Sequence, residues 1–391
     1  MNLTFLRTRS PFKVLATALV LTALLSNVTG CRNRPAADQQ LDTEEEQQEP
    51  QKRSSELVLN EVTLEQPDEN GNLLWRVVAQ EATYDEQKQR AEVQNPKGQL
   101  YRDGKPIYEI TGDRGEIYQD GQRLVVIGNV NVKDLRNGAI LKGDEMTWLP
   151  QDSQLTIKGK LTGTNPKVQI TGEEATLYEQ EQRLVVTGTA IAVTTRSPKY
   201  KLQADDLVWL LDQEIVSTDK PLQIQRLNSK GEVTDRATSN SGLMRVEENI
   251  AELRDNAVVT LRSPDTQVTS DLLIWDLNQN RVNAKAPVQV QLRDNRIKLA
   301  SNSGDFDLEN ELFYFYGNVQ AEAQRDRSRL TSDSLIFNAD ANTLIAEGNV
   351  NYQQQDPKMT VTGPRLDGML EDEHFVMSGG RVVTEIIPDD L

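Results

Sequence analysis

The sequence predicts an all-β protein: about ten stacked antiparallel hairpins forming an elongated roll, apolar inside and open at both ends. Three observations carry that prediction. A unit recurs ten times between Leu57 and the C-terminus, at spacings of 29 to 35 residues. Within each unit, apolar residues alternate with others at period two on both sides of a polar turn, the pattern of strands with one buried face. Gly or Pro then falls at one fixed offset in most copies, where a strand must bulge or kink.

The unit is clearest from Ser332 to Tyr352. Ser332 opens it, Asp333 follows, and Leu335 and Phe337 share one strand face. Asn338 to Asn342 is turn-forming, and Leu344, Ala346, Gly348 and Val350 resume the alternation. Anchored on that small first residue, the copies begin at Ala79, Gly112, Gly143, Gly172, Ala204, Ser239, Ser270, Ser301, Ser332 and Gly363. The next residue is acidic or an amide in all but the last: Gln80, Asp113, Asp144, Glu173, Asp205, Asn240, Asp271, Asn302 and Asp333.

Five residues after the anchor stand Tyr84, Ile117, Trp148, Leu177, Trp209, Met244, Trp275, Phe306 and Phe337; only Gly368 breaks the row. A second row lies twelve after the anchor and includes Leu124, Leu155, Leu184, Val282, Phe313 and Leu344. Sixteen after it come Gly128, Gly159, Gly188, Gly317, Gly348 and Gly379, replaced elsewhere by Asn95-Pro96, Lys220-Pro221, Asp255-Asn256 and Ala286-Pro287. A sheet bent at the same place in every hairpin wraps into a roll. Three after the anchor, small and large residues tend to alternate (Gly242, Leu273, Gly304, Leu335), as two facing sheets would require. The alternation forbids helical repeats of similar period, and the Leu/Asn pattern of leucine-rich repeats is missing.

Composition narrows the function. With 43 basic and 60 acidic residues the net charge is −17, which excludes a nucleic-acid partner. One His and one Cys leave no room for disulfides, His-rich zinc sites or Cys–His pairs, so neither metal nor cofactor is expected. His374, in the acidic run Glu371-Asp372-Glu373, reads as a solvated turn residue. The acidic turns Gln119-Asp120-Gly121, Glu179-Gln180-Glu181, Glu247-Glu248-Asn249 and Glu309-Asn310-Glu311 read as solvated loop tips.

The N-terminus reads as an address. Arg7, Arg9 and Lys13 precede an apolar run, Val14 to Leu25, too short for a bilayer span of about 20 residues but suited to a signal peptide. Val28-Thr29-Gly30-Cys31 resembles the bacterial lipobox, which makes Cys31 the expected lipid-attachment residue. Residues 1–30 are therefore the expected lipoprotein signal peptide. Residues 31–56, acidic and almost free of apolar side chains, form the expected disordered tether. The roll follows, with the polar insertion Arg226 to Ala237 as a joint between residues 57–225 and 226–391.

Three stretches together resemble the LptC family of periplasmic lipopolysaccharide-export proteins. They are Leu59-Asn60-Glu61-Val62-Thr63-Leu64, the run from Gly71 to Tyr84, and Leu124-Val125-Val126-Ile127-Gly128-Asn129-Val130. The LptC-like portion covers residues 57–210, and the Gly-Asn-Val hairpin ending continues beyond it. The resemblance implies an OstA/LptA-like β-jellyroll, with no bond made or broken. It implies that the chain receives lipopolysaccharide from an inner-membrane ABC transporter and passes it to an LptA-like or LptD-like β-jellyroll by edge-strand pairing. Acyl chains would then lie against Tyr84, Ile117, Trp148, Leu177, Trp209, Met244, Trp275, Phe306 and Phe337. Docking edges would be Leu59, Val62 and Leu64 at one end and Val382, Val383 and Ile386, on an expected strand Arg381 to Ile387, at the other. The expected location is the periplasm, anchored through the N-terminal lipid to a membrane, the inner rather than the outer. Two departures stand out: the chain is about twice the family's usual length, and a lipobox replaces the usual transmembrane helix.

The aromatic row also has a plain reading as packed core. A structural or adhesive lipid-anchored β-solenoid, binding protein or cell-wall polymer, is the alternative function. An enzyme of the pectate-lyase type is disfavoured, because the acids repeat with the unit and form no unique cluster.

Overall fold

Alternation at period two buries only one face of a strand, so each hairpin needs a second apolar face opposite it. The chain supplies that face by folding every hairpin in half. Residues 56–85, 89–118, 121–262, 265–292, 296–324, 327–355, 358–370 and 374–386 are described in this computed structural model. The expected signal segment, Cys31 and nearly all of the tether lie outside the described residues.

The described residues form 28 strands in one hydrogen-bonded antiparallel sheet, with no helix. The count exceeds the twenty expected because seven hairpin arms are interrupted where they bend. Pro explains three of these breaks: Arg90–Gln94 stops before Pro96, Ile215–Thr218 before Pro221 and Arg281–Ala284 before Pro287, since Pro cannot donate to the ladder. Gly corners instead let one strand pass through, as in Leu312–Ala323 and Thr343–Gln355. Pairing runs on through the polar insertion, where Leu222–Leu227 pairs with Val233–Ser239.

Strand register joins the two sequence rows into one. Leu124 pairs with Trp148, Trp148 with Leu155, Leu155 with Leu177, Leu184 with Trp209 and Phe313 with Phe337. The resulting line runs from Leu57 to Phe375 across 21 strands, on the order of 100 Å at the usual strand spacing. It forms the inner face of a first wall. The second wall's inner face is a row two residues before each anchor, with partners such as Ile170–Ala192, Leu202–Ile224, Val268–Val290 and Leu330–Tyr352. One continuous core fills the space between, from Trp75 to Leu366.

The corner explains the rest of the unit. Gly128 (φ 80°) and Asn129 (φ 46°) both adopt the left-handed region, and the register shifts between Ile127 and Val130. Gly348 and Asn349 repeat this geometry, while Asp255 and Asn256 achieve it without Gly. In several copies the residue after the anchor braces the bend. The Asn129 Nδ2 donates to Asp113 Oδ2 at 2.8 Å, Asn349 to Asp333 at 2.9 Å, and the Asp113 N–H to the Gly128 carbonyl at 2.9 Å. A Cβ on Gly128 would lie 2.5 Å from that Asp113 oxygen. Anchors are small because the neighbouring strand crowds them: a Cβ on Gly172 would meet Val186 at 2.7 Å. Serine anchors turn their hydroxyls onto the backbone, Ser301 donating to the Ser303 carbonyl at 2.8 Å and Ser332 to that of Ser334 at 2.9 Å.

The small residues three after the anchor do not make room for a facing sheet. They lie on the first wall itself, and Gly304 sits directly under the ring of Phe306. That ring stacks edge-on with Phe313 and Phe315 at 5.9 and 5.6 Å, all three fully buried. Such burial contributes about 1.5–3 kcal/mol per large side chain.

The brace is testable. Gly104 also has a left-handed φ, of 73°, but nothing lies within 4 Å of its would-be Cβ. Gly104→Ala should therefore lose about 1 kcal/mol of stability, from backbone strain alone. Gly128→Ala should lose at least about twice that, with part recovered by adding Asp113→Ala. Equal losses for the two glycines in denaturant titrations would refute the brace.

Candidate functional site

The inner rows are hydrophobic by sequence, and the fold sets them face to face without closing the space completely. Where residues 192–277 enclose it, Ala192, Leu202 and Ile224 of the second wall face Val216 and Met244 of the first across a cavity of about 200 Å³. A cavity of about 90 Å³ adjoins it at Val168, against Leu177, Leu184 and Trp209. A third, of about 60 Å³, lies among Leu335, Phe337, Leu344 and Phe375. Enclosing a drug-sized ligand takes about 300–1,000 Å³. The space between the walls as they stand falls short of that, and a larger amphiphile would fit only if they parted.

The nine residues of the predicted lining row do not share one environment. Trp148, Leu177, Trp275, Phe306 and Phe337 are buried. Ile117, Trp209 and Met244 are half-buried and packed against the core. Tyr84, nearest the N-terminal end, is exposed. Four of the nine border cavities: Leu177, Trp209, Met244 and Phe337.

Opposite the corners the walls end in turns and loops, and the space between these rims is the mouth of the trough. Polar contacts cross it. The Trp75 indole N–H donates to the Gly121 carbonyl at 3.3 Å, and the Tyr200 hydroxyl to the Leu277 carbonyl at 3.1 Å. Lys167 on the second wall's rim donates to Glu214 at 2.9 Å and to Glu247, two successive turns of the first wall. The densest contact centres on Glu179. Its carboxylate accepts from Arg136 Nη1 at 2.7 Å, from Arg102 and from the Tyr108 hydroxyl. Arg136 also donates to Asp134 at 2.7 Å and to Tyr108 at 2.6 Å.

Charge and burial both shift these groups. Burial, reinforced by Glu179, drives the Tyr108 phenol well above its usual value, so it remains a donor. The Asp134 hydrogen bond raises the Arg136 guanidinium further. Lys167 is raised chiefly by its hydrogen bond to Glu247, whose carboxyl is lowered by the same contact. Arg136, Lys167 and Glu247 are thus held in their charged forms at neutral pH.

Glu179 corrects the reading of the acidic turns as solvated tips: it is 2 % exposed. Its position seven after the anchor shows why. Other copies place Leu211, Val246, Leu277, Leu308, Ala339 and Leu370 there, at the lip of the core. An acid in that apolar register was a sequence signal for a buried contact. The second wall's row, two before each anchor, carries an equally regular apolar pattern in the sequence. Glu247 and Glu309 are exposed, as expected of loop tips, and His374 is exposed on the strand His374–Ser378. No cluster of metal-ligating residues occurs among the described residues.

The predicted docking residues lie at the two ends of the sheet. The edge strand Glu56–Pro67 pairs on one side only among the described residues; Leu59 is exposed, whereas Val62 and Leu64 pack partly against the core. At the far end the strand is Val383–Ile386, shorter than expected, and pairs only with Lys358–Met369. Val382, just before it, and Val383 are exposed.

The chain matches the family described as "Lipopolysaccharide-assembly, LptC-related" over residues 19–156 and 155–234, more than half of its length. No curated protein matches it. The matched span includes Glu179 and all of its side-chain partners.

Glu179→Gln should lower stability by about 1–3 kcal/mol, since it leaves two arginines short of a charge in a site buried on the Glu179 side. The arginines are about a third exposed, which keeps the loss below that of a fully buried pair. Lys167→Met, at a more exposed strap, should cost less than about 1 kcal/mol. Denaturant midpoints decide it; equal or reversed losses would mean that Glu179 ties nothing together.

Proposed function

The chain belongs to the LptC-related lipopolysaccharide-assembly family, a premise that makes its role lipopolysaccharide transport. From it we propose that this protein receives lipopolysaccharide from an inner-membrane ABC transporter and passes it to a β-jellyroll bridge toward the outer membrane. One observation carries the reading: two apolar rows face one another along the whole sheet, with cavities between them and a mouth along one side. Acyl chains placed there leave water, at about 0.8 kcal/mol per buried methylene, while the sugars stay outside through the mouth. No bond is made or broken; the chemistry is transfer between apolar surfaces.

The one-sided strands at each end supply the means of docking. Unpaired edge backbone is a template for another strand, so a β-jellyroll neighbour extends the trough by augmentation. Leu59 at one end and Val382 and Val383 at the other fit that role. Cys31 is the proposed attachment point of a lipid anchor holding the roll at the inner membrane in the periplasm.

Photo-crosslinkers at positions 209 and 244, which border the cavities, should yield lipopolysaccharide adducts that need both the transporter and ATP. No adduct at either position, with adducts instead to protein or wall polymer at the surface, would overturn transport and favour a structural role. Cys31→Ser should release the protein from membranes into the soluble periplasmic fraction; continued membrane retention would refute lipid anchoring at this residue.

A further inference from the structure

The interior contains polar atoms that an apolar core does not need. Trp148, Trp209 and Trp275 occupy one register of the repeat, and the indole N–H of each is buried without a hydrogen-bond partner. Trp148 is 6 % exposed and Trp275 is 0 % exposed, while Trp209 borders the 90 Å³ cavity. Buried indole N–H groups ordinarily find an acceptor, and an unpaired one is destabilising. Trp75 follows that rule, through its bond to the Gly121 carbonyl.

Packing does not demand tryptophan here. The same register in other copies holds Leu177, Met244, Phe306 and Phe337, which bury apolar surface and add no donor. The donors are also evenly placed. Trp148 and Trp209 are four strand steps apart along the row, through Leu155, Leu177 and Leu184. Trp209 and Trp275 are four steps apart again, through Val216, Met244 and Ala251. Each interval is about 19 Å at the usual strand spacing. A pure hydrocarbon offers such donors nothing. An acyl chain bound through an ester or amide carbonyl, or bearing a hydroxyl, offers an acceptor that is otherwise costly to bury.

We propose that the indole N–H groups of Trp148, Trp209 and Trp275 form three like stations on the first wall, each donating to a carbonyl or hydroxyl oxygen of a bound acyl chain. This rests on the conduit reading and adds a selectivity to it: the trough favours oxygen-bearing acyl chains over plain hydrocarbon. The stations also divide the path into equal steps, one for every two hairpins.

The test uses the full chain with ¹⁵N-labelled indoles and ¹³C-labelled methionine methyls, its four indole signals assigned by Trp→Phe variants. Purified lipopolysaccharide in detergent should shift the Trp148, Trp209 and Trp275 indole protons downfield, leave Trp75 in place and move the Met244 methyl. Tetradecane should move the Met244 methyl without the indole shifts. Trp209→Phe should weaken lipopolysaccharide binding about fivefold and leave tetradecane binding unchanged. The proposal is overturned if lipopolysaccharide moves Met244 but not the three indoles. It is equally overturned if the indole signals already sit at hydrogen-bonded positions without lipid, or if Trp209→Phe weakens both ligands alike. If neither ligand moves Met244, the conduit reading fails first and takes the stations with it.

Discussion

A strand that alternates apolar and polar residues buries one face only, so a long sheet of such strands is stable in water when something covers that face. Here the cover is the same sheet, and everything depends on folding each hairpin at one backbone position. The left-handed pair at Gly128–Asn129, repeated at Gly348–Asn349 and imitated at Asp255–Asn256, sets that fold. At the Gly corners the acid or amide after the anchor holds it, as Asp113 and Asp333 do by accepting from the corner Asn. Were the bends out of register, the inner rows would not face each other, and neither core nor trough would exist.

The core that results is graded. Rings of Phe306, Phe313, Phe315 and Phe337 pack it toward the C-terminal end, where about 60 Å³ stays open, whereas the stretch between residues 167 and 277 keeps about 200 Å³. The same stretch carries the mouth contacts from Lys167 and Tyr200, and Glu179 closes the neighbouring one. Loose packing and ionic ties in one place suit a structure that parts its walls and recloses. Hydrophobic contact alone would collapse the space, and charge alone would not draw acyl chains in.

The proposed hand-over of cargo requires contact at the ends of the sheet. Exposed apolar residues concentrate there: Leu57, Val58 and Leu59 at one end, Val376, Val382 and Val383 at the other. In the proposed reading those edges extend the trough from protein to protein, which would keep acyl chains out of water throughout.

Much of this was legible in the chain. Period-two alternation, the recurring anchor and the fixed glycine determined the strands, their number of copies and the place where each bends. They did so because side-chain direction and left-handed backbone are local properties. The tertiary structure alone decided what those residues meet. Only register shows that the rows five and twelve after the anchor are one line. Only the corner gives the repeated acids their work, and only the facing rims bring Glu179 to Arg102, Tyr108 and Arg136, up to 77 residues away in sequence. Partners so distant leave no local pattern beyond an acid in a register that is apolar in the six copies after it. Whether an aromatic residue is buried between the closed walls like Trp275 or borders a cavity like Trp209 depends on the volume its neighbours enclose, a property no single strand carries.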